Sequence, residues 1–111
     1  MRASQRRVLV VLITTANRRE AEQIAKALVT NQLAACANLV TPVTSIFRWK
    51  GRVEKSREIL LMAKTTSRRY FALEKMVRSM HSYDVPEIIA VEVKHGLRPY
   101  VEWVRKETAT D

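Results

Sequence analysis

The side chains able to bind a metal or attack a substrate are few in this chain of 111 residues. It has one cysteine, Cys36, and two histidines, His81 and His95. Imidazole and thiolate bind transition metals, and a cysteine beside a histidine can act as a nucleophile. Cys36 stands among alanines, which is typical of a buried small residue. His81 follows a helical stretch, so it either caps the helix end or binds a ligand, whereas His95 is expected in a solvated loop.

Motifs of known enzyme classes do not occur in the sequence. It contains neither the Gly-x-Ser-x-Gly turn of serine hydrolases nor the His-Glu-x-x-His zinc motif. The acids Glu54, Glu58 and Glu87 lie apart, and nothing marks two of them as a general acid and base. We therefore expect a protein that is not an enzyme and has no catalytic residues.

Composition and charge narrow the compartment and the partners. A single cysteine excludes an intramolecular disulfide and a cysteine-only zinc site. The longest apolar run, residues 8–13, is too short to cross a membrane, so we expect a cytoplasmic protein without a membrane partner. The net charge of +9 favours anionic partners such as nucleic acid. Because the cations are spread along the chain, we expect such binding to be weak, salt-sensitive and non-specific.

The first half of the chain predicts a strand, a helix and a long hairpin. Residues 8–13 are a β-branched run typical of a buried strand, which we expect Thr14 and Thr15 to end. Asn17 and Glu20 have capping-box spacing, and the helix that follows is predicted to end at a left-handed Asn31. Extended regions at 33–49 and 59–63 flank a turn at residues 50–51. We expect Pro42 to mark a bulge or a sheet edge.

The second half repeats the strand and helix plan. We expect Thr66 or Ser67 to cap a helix that runs to Met80, then a strand at 88–93 and a final helix at 100–106. The resulting order, β-α-β-β-α-β with a terminal helix, predicts an α+β ferredoxin-like fold. The predicted organisation is a basic tail at 1–7, one domain at 8–107 and a short tail at 108–111.

The predicted hairpin is longer than a compact domain can contain. A strand of about 14 residues spans roughly 45 Å, whereas a domain of this size has a radius of gyration near ~13 Å. The hairpin must therefore bend at Pro42 or project, and a projecting hairpin would expose Ile46, Phe47, Trp49 and Val53. We expect other subunits to cover these side chains, and assembly to give the protein unusual resistance to heat.

Five ordered segments together resemble the CutA divalent-cation tolerance family. They are residues 34–40 (AACANLV), 44–51 (TSIFRWKG), 60–65 (LLMAKT), 81–90 (HSYDVPEIIA) and 100–103 (YVEW). The resemblance covers about residues 8–107. It implies a ferredoxin-like fold with a long β2–β3 hairpin and a tightly packed cytoplasmic homotrimer. It also implies a role in tolerance of copper and other divalent cations.

The resemblance bears on copper through the matching positions. Some family members propose a copper site made of a cysteine late in the first strand and two adjacent histidines; the matching residues here are Ile13, Met80 and His81. Only His81 is a strong ligand for Cu(II). We therefore expect weak copper binding by His81, with Cys36 as the second candidate metal ligand. Ser82 stands where the family often has proline, which we expect to loosen the loop that holds His81.

Two other functions remain open at this stage. By analogy with other trimeric ferredoxin-like proteins, clefts between subunits could hold a regulatory anionic metabolite, with a lining drawn from Lys64, Tyr83, Glu87 and Trp103. A basic ferredoxin-like domain could instead bind nucleic acid. RNA-recognition domains of this fold carry exposed aromatic residues on their central strands, and the corresponding strands here have none. We therefore expect no sequence-specific nucleic-acid partner.

Overall fold

The computed structural model describes residues 6–109 and has the predicted α+β ferredoxin-like order. Residues 1–5 and 110–111 of the predicted tails lie outside the described part. All strand pairings are antiparallel, and the order across the sheet is β2-β3-β1-β4. The elements are β1 (Val8–Thr15), α1 (Arg18–Thr30), β2 (Cys36–Trp49), β3 (Arg52–Thr66), α2 (Tyr70–Met80), β4 (Ile88–Glu92) and α3 (Arg98–Glu107).

The main core lies between one face of the sheet and the helices α1 and α2. Alternate residues of the central strands, such as Val11 and Leu61, point to this face and are fully buried. They pack against the apolar stripes of the two helices, where Ile24 and Leu73 are also fully buried. The helices thus cover one side of the sheet.

The opposite face of the sheet is covered only at one end. There α3 buries Val104 against Val8 and Ala35. Farther along β1, Val10 and Leu12 remain half-buried, and the β4 residues paired with them, Val91 and Ile89, are exposed. We refer to this apolar surface of β1 and β4, with its neighbours on β3, as the open sheet face.

The β2–β3 hairpin projects from the body of the domain. The molecule measures 45 × 25 × 22 Å, and the two strands remain paired up to Trp49 and Arg52. The register shifts between Val40 and Val43, around a cis peptide bond before Pro42, and β2 is an edge strand. The predicted bulge and edge position are therefore both confirmed, and the hairpin projects despite its irregularity at Pro42. Its apolar side chains are exposed, with Ile46 at 70% and Val53 at 74%.

Several predicted element ends were wrong, each for a local reason. Asn31 is not left-handed, since its φ is −92°; the following Gln32 has φ +57° and turns the chain. Neither Thr66 nor Ser67 caps α2, because β3 continues through Thr66, which pairs with Val8, and the helix begins at Tyr70. Helix α3 begins at Arg98, since Pro99 fits its first turn.

The remaining differences are small. Pairing with β3 extends β1 through Thr15, and β4 ends one residue before the predicted end, at Glu92. Lys50 and Gly51 form the predicted turn, both with positive φ. Thr108, which we assigned to the tail, is buried and donates to the Val104 carbonyl at the end of α3. Within residues 6–109, no helix is long and apolar enough to cross a membrane.

Candidate functional site

His81 lies at the end of α2, where two hydrogen bonds hold its ring. Its backbone N–H donates to the Val77 carbonyl and so caps the helix. The ring Nδ1 accepts from the Tyr83 backbone N–H at 3.1 Å, and Nε2 is 2.7 Å from the Thr14 carbonyl oxygen. This arrangement fits a neutral imidazole that carries its proton on Nε2 and donates it to Thr14. Both ring nitrogens therefore have partners.

Tyr83 connects the His81 loop to a buried carboxylate. Its hydroxyl donates to Glu58 Oε2 at 2.7 Å, and Glu58 is only 7% exposed. The tyrosine and histidine rings pack with centroids 4.8 Å apart. Burial and the neighbouring Glu58 carboxylate raise the pKa of Tyr83 to about 12, so the phenol stays protonated and remains a donor. We call Glu58, His81 and Tyr83 the histidine cluster.

Glu20 attaches the loop after α2 to the start of α1. Asn17 Oδ1 accepts from the Glu20 N–H at 2.9 Å, which confirms Asn17 as the helix cap. The Glu20 carboxylate accepts from the backbone N–H groups of Ala16, at 3.1 Å, and Ser82, at 2.7 Å. Burial opposes ionisation, but these hydrogen bonds outweigh it and lower the pKa of Glu20.

Ser82 therefore acts in the opposite sense to our expectation. A proline at this position would have no N–H to donate to Glu20, whereas Ser82 donates one at 2.7 Å. The substitution thus adds a contact that holds the loop beside His81.

A second cluster lies on the other side of the sheet, next to α3. Cys36 Sγ is 3.4 Å from the Tyr100 hydroxyl, and the Tyr100 and Trp103 rings pack with centroids 5.6 Å apart. Lys64 pairs with Cys36 across the strands and donates to Asn38 Oδ1. The hydrogen bond with Cys36, followed by burial, raises the pKa of Tyr100 to about 12. We call these five residues the cysteine cluster.

The structure thus divides the predicted site residues between two places. His81 and Tyr83 meet in one cluster, while Cys36, Lys64 and Trp103 belong to the other. Glu58 and Lys64 mark the two clusters on β3, and six residues of strand separate them by about 20 Å. Cys36 and His81 therefore do not meet within one protomer. Glu87 and His95 are exposed and lie outside both clusters.

Sequence reasoning missed the parts played by Glu20, Glu58 and Tyr100 in these clusters. Glu20 was identified only as a helix cap, although its carboxylate also binds the loop after α2. One signal for Glu58 was present, since it is an acid directly before the apolar run that enters the core. The partners of these side chains come from distant parts of the chain, so their pairing is a product of the fold.

The metal-ligating side chains do not gather into a complete site. Within residues 6–109, no three or more histidine, cysteine, aspartate or glutamate side chains are placed to hold a metal ion. Ile13 is fully buried on the helix-covered face and has no donor atom, while Met80 is partly exposed beside His81. One protomer thus offers single ligands rather than a chelating set.

The fold and these clusters define a ferredoxin-like α+β domain with a projecting apolar hairpin and no preformed metal centre in the described residues. A family model described as CutA1 divalent ion tolerance protein matches residues 9–107. That match spans nearly the whole domain, and the chain belongs to this family.

Named relatives agree in sequence and in fold. The divalent-cation tolerance protein CutA of Thermus thermophilus is 46% identical over 99 residues, which are 89% of this chain and 96% of that protein. Its crystal-structure counterpart, the Cut A1 protein of the same organism, superposes with a TM-score of 0.90 at 45% identity and covers 92% and 99% of the two chains. Human protein CutA is 46% identical over 101 residues; the match spans 91% of this chain and 56% of the human protein.

Proposed function

We propose that this chain takes part in tolerance of divalent cations as a homotrimer, and that it binds copper directly but weakly through His81. Membership of the divalent ion tolerance family supports the general role. The observation that carries the copper proposal is the geometry of the His81 ring, with Nε2 2.7 Å from the Thr14 carbonyl and Nδ1 bonded to Tyr83. The imidazole is a good Cu(II) ligand in an accessible loop, but it is already engaged.

Weak binding follows from what copper must displace. A metal can take a ring nitrogen of His81 only when the hydrogen bond at that nitrogen breaks, which costs about 1 kcal/mol. A single imidazole also lacks the chelating partners that make a strong site, because Ile13 has no donor and Met80 has only a thioether. Copies of His81 or Cys36 from other subunits would be needed to complete a stronger site.

A competition titration tests the copper assignment. We expect the wild type to bind Cu(II) more weakly than relatives with a cysteine and two histidines at these positions, and His81→Ala to lose most of the binding. His95→Ala removes the other, exposed histidine and is expected to change the affinity little. Equal affinity of wild type and His81→Ala would refute the assignment, and repeating the titration with Cu(I) would then test Cys36.

The proposed homotrimer rests on apolar surface that one protomer leaves uncovered. The hairpin exposes Ile46, Phe47, Trp49 and Val53, and the β4 edge of the open sheet face exposes Ile89 and Val91. Obligate interfaces are large and apolar, and these two surfaces supply such material. Pairing of hairpin strands between neighbours would also satisfy the free edge of β2.

A second candidate function is the binding of a small anionic regulator in clefts between subunits. Lys64 supports it, because its ammonium group lies beside Tyr100 and Trp103 on a surface that a neighbouring subunit would complete. Either role is one of binding and not of catalysis, since neither cluster has the paired acid and base of an enzyme site.

Native mass spectrometry with Cu(II) and with nucleotides separates the two roles. It reports the number of subunits and the mass bound to them in one measurement. A nucleotide adduct that is lost in Lys64→Ala and kept in Lys55→Ala would favour the regulatory role. Copper adducts without a nucleotide adduct would favour the cation-binding role.

A further inference from the structure

Two neighbouring clefts at one end of the domain are strongly basic. The first has a volume of about 340 Å³ and lies between the end of β3 and the end of α3; the second, of about 380 Å³, lies between β4 and the start of α3. Glu102 and Arg105 line both clefts. The cationic residues lining one cleft or both are Arg6, Arg7, Arg68, Lys94, Arg98, Arg105 and Lys106. We call these seven residues the basic face.

The carboxylates in the clefts do not neutralise the basic face. Glu102 is shared by Arg6, at 3.7 Å, and Arg105, at 2.8 Å, and Glu92 is 3.7 Å from Arg7. Within residues 6–109, the remaining four cations have no carboxylate within 4.0 Å: Arg68, Lys94, Arg98 and Lys106. Four unpaired charges in adjoining clefts repel one another, and an anion bound among them would relieve this repulsion.

Ordered parts of the fold hold the face in shape. The Arg105 guanidinium donates to the Arg6 carbonyl oxygen at 2.8 Å and to Glu102. The N–H of residue 67 donates to the Arg7 carbonyl, which joins the two sides of the first cleft. Cations at the end of α3 are favourable to the helix dipole, but Arg68 and Lys94 lie outside α3 and have no such explanation.

The lining chemistry indicates phosphate rather than base recognition. Among the described residues that line the two clefts there is no aromatic side chain on which a base could stack. Arginine and lysine are the usual partners of phosphate oxygens, and two adjoining clefts suit an anion whose phosphates repeat along a chain. We propose that the basic face binds the phosphate backbone of nucleic acid without reading its bases.

The position of the basic face is compatible with the proposed homotrimer. Val8 pairs with Thr66 at this end of β3, whereas the exposed hairpin tip begins at Arg52, about 45 Å away along the strand. The hairpin can therefore pair with a neighbour while the basic face stays free. In a trimer, three such faces would add their contacts to one nucleic acid.

Fluorescence anisotropy with a short labelled DNA duplex tests the proposal on the full chain. Each phosphate contact contributes about −0.9 to the slope of log K against log salt concentration. The four unpaired cations therefore predict a slope of about −3.6 for one protomer, and a second duplex of unrelated sequence should bind equally. A preference for one sequence that persists at moderate salt would overturn backbone recognition.

A pair of charge-matched variants locates the binding. Arg68→Gln with Lys106→Gln removes two unpaired cations of the basic face and should weaken binding about tenfold and make the slope less steep by about 2. The control, Lys26→Gln with Lys55→Gln, loses the same charge from exposed positions on α1 and the hairpin. Equal weakening in both variants would show that net charge alone drives binding and would overturn the site, provided that light scattering and thermal melting show both variants folded and assembled as the wild type is.

Discussion

The Tyr83 hydroxyl provides a hydrogen bond to a carboxylate that is almost removed from water. Glu58 is 7% exposed, and the Tyr83 hydroxyl lies 2.7 Å from its Oε2. We expect Tyr83→Phe to lower the free energy of unfolding by about 1–2 kcal/mol, because the carboxylate loses a donor and gains no water in exchange. Denaturant unfolding at neutral pH measures this. Tyr100→Phe is the control, since Tyr100 loses only a 3.4 Å contact with a thiol, and a larger loss there would contradict the assignment.

The same phenol makes stability depend on alkaline pH. The pKa of Tyr83 is about 12 in the folded protein and near 10 in the unfolded chain, so the folded state favours the protonated phenol. Its contribution to stability is present below pH 10 and is lost as the pH rises from 10 to 12. Over this window the unfolding free energy of the wild type should fall more steeply than that of Tyr83→Phe, as followed by denaturant unfolding at stepped pH. Parallel curves would refute the role of Tyr83.

Among the elements, the start of α1 and the loop after α2 depend on one carboxylate. Glu20 accepts backbone N–H groups from both sides, and its folded-state pKa lies below 4.5. We expect Glu20→Gln to reduce stability by about 1 kcal/mol at pH 7, because the charge-assisted hydrogen bonds weaken. The difference from wild type should be present above pH 4.5 and disappear as the pH falls through the lower folded-state pKa, where the wild-type carboxyl takes up a proton.

A neighbouring acid on the same helix is the matched control. Glu22 makes only an exposed ion pair with Arg18, at 3.0 Å, so Glu22→Gln should cost no more than about 0.5 kcal/mol. Urea unfolding of both variants between pH 3 and 7 decides the matter. If Glu20→Gln is no more destabilising than Glu22→Gln, then Glu20 does not connect the helix to the loop.

For the whole molecule, the projecting hairpin is the surface that we expect to hold three protomers together. Ile46 and Val53 point to the same side of the hairpin, since Val53 pairs with Arg48, two residues after Ile46. Ile46→Asp with Val53→Asp would place two charges in the proposed interface and should shift the mass in light scattering from trimer to monomer. The variant should also melt at a lower temperature, because assembly contributes to stability.

An exposed apolar residue elsewhere provides the comparison. Val85 is 75% exposed in the loop after α2, and Val85→Asp should leave the trimer intact. A wild-type protein that is monomeric at low micromolar concentration would contradict the assembly. A melting temperature that is ordinary for a mesophilic protein and independent of concentration would contradict its contribution to heat resistance.

The order of elements could be read from the sequence because its causes are local. The β-branched run of β1 and the apolar stripe of α1 are short-range patterns, and so are the Asn17 cap and the Lys50–Gly51 turn. The length of the hairpin followed from the spacing between its turn and the next helix. These features predicted both the fold and the exposed apolar surface.

Only the tertiary structure decided which side chains meet. Spacing along the chain placed neither Glu58 beside Tyr83 nor Cys36 beside Tyr100, because the partners are 25 and 64 residues apart. For the same reason, the sequence alone named Cys36 and His81 as ligands without showing that the sheet separates them. The basic face also depends on folding, since four separate segments of the chain bring its cations together. Composition determined that the protein is strongly basic, and the packing of α3 against the sheet determined where that charge is concentrated.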